Sequence, residues 1–322
     1  MTNGGGAMQS RPYESPADLR LMQALSSACW RADWPAPLTH PGDLDWWSRD
    51  LTIPGLPLAE RVRLWFEAEP DASPLVAWAW LSPTGDVDLL IRPDLRAAGL
   101  VESIVVWAVG RIATGADSIL ADTVQAFAAD AQPAVIEALR GLGFARVESR
   151  GLAQLTRAFE GWHPPAPALP AGFSLRTLAS DEDVVARVVC SRAAFPRSTM
   201  TAASYESVRR RAALYRPSLD WLVIAPDGSV GAFALGWLDP VNLAVELEPV
   251  GVHPSFQRRG LGRAVCLSTI GAARELGAIE GMICAEGDNP AALGLYASLG
   301  YEIRTWTRPY RRPVDGLRPG PS

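Results

Sequence analysis

Apolar positions along the chain fall into two patterns, three- and four-residue steps and short apolar or alternating runs. Leu19, Met22, Leu25 and Cys29 share the first spacing and predict a helix over 14–32, opened by Pro16 in its first turn. Five prolines, Pro35, Pro37, Pro41, Pro54 and Pro57, then interrupt 33–58, which reads as loop holding one short helix. Strands are predicted over 61–67, 74–81 and 86–91, a helix over 97–112, a strand over 118–123 and a shorter helix over 133–142 that Gly143 ends. Four prolines between Pro164 and Pro170 favour an extended spacer. Beyond it the pattern resumes as strand 173–178, helices 181–194 and 202–212, strands 219–225, 230–237 and 243–252, helix 262–276, strand 281–285 and helix 290–299.

The two halves repeat. Leu90, Ile91, Arg92, Pro93 and Gly99 stand 161 residues before Gly251, Val252, His253, Pro254 and Gly260, and Pro133, Leu142, Gly143 and Phe144 stand 157 before Pro290, Leu299, Gly300 and Tyr301. The expected division is a flexible start at 1–13, a first α/β domain at 14–158, a linker at 159–171, a second copy at 172–310 and a flexible Pro/Gly-rich tail at 311–322. A length of 322 residues suits two domains of about 150.

Composition removes several function classes. With 48% apolar and 20% charged residues the chain has a core to bury. Thirty Lys and Arg against 35 Asp and Glu give a formal charge of −5, which offers no general attraction for nucleic acid; the runs Arg209–Arg211 and Arg258–Arg259 read as solvated faces or a cofactor rim. Cys29, Cys190, Cys266 and Cys284 form no CxxC, and the three histidines are His40, His163 and His253, so neither a metal site nor a disulfide framework is expected. The opening residues lack a basic-then-apolar leader and no apolar stretch approaches the roughly 20 residues that span a bilayer, so the expectation is a cytoplasmic protein with no membrane partner.

The segment 251–263, between a predicted strand and a predicted helix, carries Gly260 and Gly262. Glycines there allow a tight turn whose amides converge on an anion at the helix N-terminus, with Arg258, Arg259 and Arg263 at the rim. It matches neither GxGxxG nor the P-loop pattern. Residues 250–264 resemble the acyl-CoA loop of the GCN5-related N-acetyltransferases, the GNAT family, whose Gln/Arg-x-x-Gly-x-Gly/Ala falls on Gln257, Gly260 and Gly262. A second motif of that family appears as Asn289, Tyr296, Leu299, Gly300 and Tyr301.

The resemblance implies an α/β fold of two tandem GNAT-like domains around mixed sheets, the first degenerate, using acetyl-CoA as co-substrate. The acyl acceptor is a small-molecule amine or a protein or peptide amine. Amides from Gln257 through Arg258, Arg259, Gly260, Leu261 and Gly262 to Arg263 would hold the pyrophosphate. Val250 and Val252 would pair with the pantetheine arm, and Asn289 would help to position the cofactor. Tyr296 has the position of the proton donor to the thiolate. Glu246 and Glu248, two apart on one strand, share a face and are the candidate bases, with Glu246 slightly favoured and Glu286 a third. The alternative for the two glutamates is electrostatic attraction of a cationic amine.

Aligned by the repeat, the first copy loses Gln257 to Arg96, Gly262 to Val101, Asn289 to Gln132, Tyr296 to Leu139 and Glu248 to Val87; the valine at 101 is expected to crowd the phosphate position. Tandem copies with an intact second one are similar to the mycothiol synthases, whose acceptor is a cysteinyl pseudodisaccharide. The rival reading is a CoA-binding sensor or interaction protein without chemistry. Monomer and homodimer stay open.

Overall fold

The computed structural model describes residues 8–48, 57–70, 72–97, 99–113 and 121–314. Along the chain the first elements are β1 (Gln9–Pro12), α1 (Pro16–Asp33), α2 (Pro41–Trp47), α3 (Leu58–Arg61), β2 (Val62–Phe66), β3 (Leu75–Leu81), β4 (Asp86–Ile91), α4 (Leu100–Ala113), β5 (Thr123–Ala129), α5 (Pro133–Gly141), β6 (Ala145–Arg146) and β7 (Leu152–Ala158). There follow β8 (Ser174–Thr177), α6 (Asp181–Ala194), α7 (Ala202–Arg211), β9 (Asp220–Ile224), β10 (Val230–Asp239), β11 (Ala244–Val252), α8 (Leu261–Glu275), β12 (Glu280–Glu286), α9 (Pro290–Ser298) and β13 (Glu302–Pro313). They form two compact units, one of Met1–Thr39, Leu51–Ala153 and Thr305–Ser322, the other of His40–Asp50 and Gln154–Arg304.

In the first unit the sheet runs β1–β2–β3–β4–β5–β13. Its pairings are antiparallel except β4 with β5. All seven residues of β3 are buried, and Val76, Ile91, Ile104, Val105 and Val124 meet in its core. In the second unit the order is β8–β9–β10–β11–β12–β7, with β11 and β12 parallel. β10 is buried along its whole length. Its small residues Ala232 and Ala234 meet Leu261 and Val265 of α8, and Phe233, Leu235 and Trp237 meet Val188 of α6, Tyr205 of α7 and Trp46 of α2. The two-residue period of a strand thus builds a core on each face.

The units repeat in detail. Each begins with a strand, an arginine and a capped helix: Arg11 makes a bidentate pair with Asp18, capping partner of Ser15, and Arg176 pairs likewise with Asp183, partner of Ser180. Gly99 and Gly260 take left-handed φ of 75° and 80°, and Gly143 and Gly300 take 83° and 79° after the helices α5 and α9.

The contiguous division read along the chain differs from these units in three places. Residues 40–50 belong with the second half, as do 154–158, while 305–310 and the strand residues beyond them belong with the first. The strand beside β12 therefore precedes β8 in sequence, and the strand beside β5 comes from the far end of the chain. Gln9–Pro12 and the strand residues 311–313 are ordered into sheets although both stretches were expected to be flexible. The strand expected at 118–123 is instead Thr123–Ala129, residues 118–120 lying outside the described ones; its sequence TVQAFAA is too alanine-rich for strong apolar contrast.

Candidate active site

The site is assembled around β11. Trp237 of β10 faces Glu246, Gly236 faces Leu247 and Ala234 faces Val250, so the single residue Leu235 lies opposite both Glu248 and Pro249. This is a β-bulge. The indole N–H of Trp237 donates to the Glu248 carbonyl at 2.6 Å, satisfying it where the ladder is broken. On its other side β11 pairs with β12 over Ala244–Glu246 against Glu280–Met282, although the two strands run on to Val252 and Glu286. Beyond Glu246 that ladder stops and the strands part into a wedge, along which Val250 and Val252, both half-buried, present a strand edge.

At the wedge's wide end the chain turns through His253–Gly260 into α8. Arg258 and Gly260 have φ of 60° and 80°, and Gly260 caps the helix without a side chain. The first-turn amides of Leu261, Gly262 and Arg263 have no partner within the helix. A Cβ at residue 260 would meet nothing within 4 Å, so the approach to those amides is open. Gln257, Arg258 and Arg259 are exposed, Arg263 is half-buried, and Leu261 and Gly262 are buried. Gly262 does not face the opening: a Cβ there would meet Val252 Cγ2 at 3.1 Å and Leu295 Cδ2 at 3.2 Å. Its lack of a side chain lets α8 lie close to β11 and α9.

Helix α2, from the first half of the sequence, closes the other side. His40 caps it, with Nδ1 accepting from the Gly42 N–H at 3.0 Å and Asp43 Oδ2 accepting from the His40 N–H at 2.9 Å. The helix is fastened by His40 Nε2 to the Ala244 carbonyl at 3.1 Å, by the Leu214 N–H to Asp45 at 2.8 Å, and by Trp46 beside Tyr205 and Trp237. With Nδ1 accepting, Nε2 carries the proton. Burial pushes His40 down to about 4, so the ring is neutral at pH 7.

Glu246, 2% exposed, lies 3.6 Å from His40 Nδ1 through Oε2. Burial, then the charges of Asp43 and Glu248, push its carboxyl well above the usual carboxylate range. Cys284 of β12 is raised by burial and by the same three carboxylates. Tyr296 of α9, 6% exposed, is raised by burial, with Cys266, Glu248, Cys284 and Tyr301 adding to it. Glu246, Glu248 and Tyr296 therefore fall in one cluster. Asn289 caps α9, its Oδ1 accepting from the Ala292 N–H at 3.1 Å, which commits the oxygen to the helix and leaves the amide nitrogen for other contacts. Glu286 is exposed at the end of β12. His40, Asp43 and Cys284 were not among the residues expected at the site. The pattern His-Pro-Gly-Asp signals a capped helix start, but nothing local says where that helix docks.

Residues 186–301 match the family model of the acetyltransferase (GNAT) family. The mycothiol acetyltransferase of Tsukamurella paurometabola is 33% identical over 233 residues, spanning 67% of this chain and 74% of that protein. The chain belongs to the GNAT acetyltransferase family. The mycothiol acetyltransferase of Thermobispora bispora is 28% identical over 311 residues, 93% of this chain and 97% of its own. A tandem GNAT protein from the clavulanic acid biosynthesis pathway shares the fold with a TM-score of 0.66 at 19% identity, over 98% of this chain and 99% of that one. This GNAT chain is thus an acetyl-CoA-dependent acetyltransferase of tandem-like topology. Among its described residues no helix is long and apolar enough to cross a membrane.

Two of the differences read into the first copy change in three dimensions. Val101 is 1% exposed and packs into the core, as Gly262 faces inward in the second copy, so it does not crowd an anion; a Cβ at Gly99 also meets nothing within 4 Å. The counterpart of Glu248 is not Val87. Asp86 pairs with Gln125 as Glu246 pairs with Met282, and Val87 faces Leu81 as Leu247 faces Gly236, because the bulge gives β11 one residue more than β4. The first unit therefore has Asp86 and Asp88 where the second has Glu246 and Glu248. Asp86 is held by Thr84 and Gln125 at 2.8 Å each, while burial and the charge of Asp86 raise Asp88 to about 7. Leu139, fully buried, occupies the place of Tyr296.

Proposed function

We propose that the second unit of this GNAT acetyltransferase transfers the acetyl group from acetyl-CoA to a primary amine by direct attack in a ternary complex. The observation that carries the reading is the wedge between β11 and β12, with an uncapped helix N-terminus at its wide end and the Glu246, Glu248 and Tyr296 cluster at its narrow end. The amides from Arg258 to Arg263 hold the pyrophosphate, that of Gln257 being given to the Pro254 carbonyl, with Arg258, Arg259 and Arg263 at the rim. The edge at Val250 and Val252 pairs with the pantetheine amides. That places the thioester beside the carboxylates, and holding the two reactants together supplies much of the rate.

Glu246, with Glu248 beside it, takes one proton from the incoming ammonium; Tyr296 protonates the departing thiolate and is re-protonated from the nitrogen. The first unit is non-catalytic, since Leu139 has no proton to give. The relatives named mycothiol acetyltransferases favour, as the finer reading, a mycothiol-synthase-like acceptor, the amine of a cysteinyl pseudodisaccharide.

Calorimetric titration with acetyl-CoA, run beside a Gly260→Trp variant, tests the site. Residue 260 has open space in front of it, so an indole there fills the approach to the first-turn amides while the left-handed φ costs on the order of 1–2 kcal/mol. Saturable binding lost in the folded variant is expected. Unchanged binding in the variant moves the cofactor elsewhere, and no binding by the wild type refutes the reading.

A further inference from the structure

Glu246 is 2% exposed, and among the described residues no donor reaches its Oε2. The nearest ring nitrogen, His40 Nδ1 at 3.6 Å, holds a lone pair, because it accepts from the Gly42 N–H while Nε2–H donates to Ala244. An isolated carboxylate in that position is a buried charge facing electron density, with no compensating hydrogen bond. Asp43 of α2 is the neighbour that can hold a proton against this carboxyl. The Asp43 side chain is in hydrogen-bond contact with Glu246, and its Oδ2 is already fixed by the His40 N–H at 2.9 Å. Two carboxyls in such contact are joined by a proton and titrate as a pair. Asp43 is half-buried and opens toward solvent, which Glu246 does not.

We propose that Asp43 is a positioning residue for the acetyl transfer, forming with Glu246 a carboxyl pair that holds one proton and one negative charge between α2 and β11. The proposal rests on the transfer reaction assigned above. Its consequence is that the base is a dyad, completed by a helix encoded some 200 residues before the rest of the site. The ammonium gives one proton to the pair, leaving both carboxyls protonated and the amine free. The amine nitrogen then bonds to the thioester carbon as the C–S bond breaks; Tyr296 gives its proton to the CoA sulfur and regains the second proton of the nitrogen. The pair returns its extra proton to water through Asp43. The groups facing Glu246 are His40 and Asp43 of α2, Glu248 of its own strand and the Cys284 thiol of β12; Tyr296 of α9 faces Glu248 and Cys284. Neutral His40 supplies no counter-charge, so the pair keeps its proton.

The test is a carbon-13 NMR titration of the full chain, labelled at the Asp and Glu carboxyl carbons. Glu246 is assigned by the signal that Glu246→Gln removes. Asp43→Asn keeps an oxygen to accept from the His40 N–H, so the helix cap survives, and Asp43→Ala serves as a second variant. The wild-type Glu246 signal is expected to titrate well above the ordinary glutamate range and to fall by about one pH unit or more in both variants. A Glu246 midpoint unmoved in folded Asp43→Asn and Asp43→Ala overturns the pair. Acetyl-CoA calorimetry on the same samples separates the two ideas: loss of cofactor binding by the wild type overturns the transfer reading and with it the pair's role in transfer, whatever the titration shows.

Discussion

Gly42→Ala is a small change aimed at the joint that brings α2 to β11. The new Cβ lands 2.3 Å from Trp237 Cβ, 2.5 Å from Trp237 Cγ and 2.9 Å from His40 Nδ1. Carbon atoms in contact settle at about 3.5–4.0 Å, so the two surfaces must separate by roughly 1 Å or more. Trp237 cannot give way, being fully buried and tied through its indole N–H to Glu248. The helix must move. Overpacking of this kind costs about 1–3 kcal/mol, against which the better helix propensity of alanine returns at most about 1 kcal/mol. Because Trp237 is fixed the cost lies toward the upper end of that range, and a net loss of about 1–2 kcal/mol is expected in urea unfolding followed by circular dichroism. The same displacement carries His40 and Asp43 away from Glu246, so acetyl transfer falls while acetyl-CoA binding at the far end of the wedge persists. A variant that unfolds at the wild-type urea midpoint would falsify the account of α2 as a helix clamped against Trp237.

Two further substitutions read the electrostatics. Because burial raises Glu246, the folded state holds its proton more tightly than the unfolded chain, and the stability so gained is complete below the ordinary carboxyl range and is lost as pH rises through the folded value. Glu246→Gln removes that loss, so the variant gains on the wild type with rising pH even as transfer collapses; parallel stability curves from pH 4 to 8 would count against a buried, reluctantly ionised carboxyl. Asp183 shifts the opposite way, held near 2 by the Arg176 guanidinium and by the amides of Ala179 and Ser180. A drop from 3.8 to about 2 corresponds to about 2.5 kcal/mol, which the partial exposure of Arg176 reduces to about 1–2 kcal/mol. Asp183→Asn should lose that amount at pH 7, with the deficit vanishing as pH falls from about 4 to 2; a deficit independent of pH would mean a cap without an ion pair.

What the sequence by itself determined is what neighbours along the chain can decide. The tight turn at Gly260, the start of α8 and the ending of α9 before Gly300 depend on residues a few positions apart, and each was legible. So was the tandem repeat, since two similar stretches obey the same local rules. Three features were settled only by tertiary structure. The bulge opposite Leu235 adds one residue to β11, so counting along the chain set Val87 against Glu248 although the strand register sets Asp86 and Asp88 in the carboxylate positions. The glycine at 262 looked like part of an anion cradle, whereas packing against Val252 and Leu295 accounts for it. Helix α2 carried its own start signal, but its place beside Glu246 depends on Trp46, Asp45 and His40 finding partners about 160 to 200 residues away. A one-dimensional pattern records the faces an element must bury; which distant surface buries them is decided by packing, and at this site that choice brings a second carboxyl to the first.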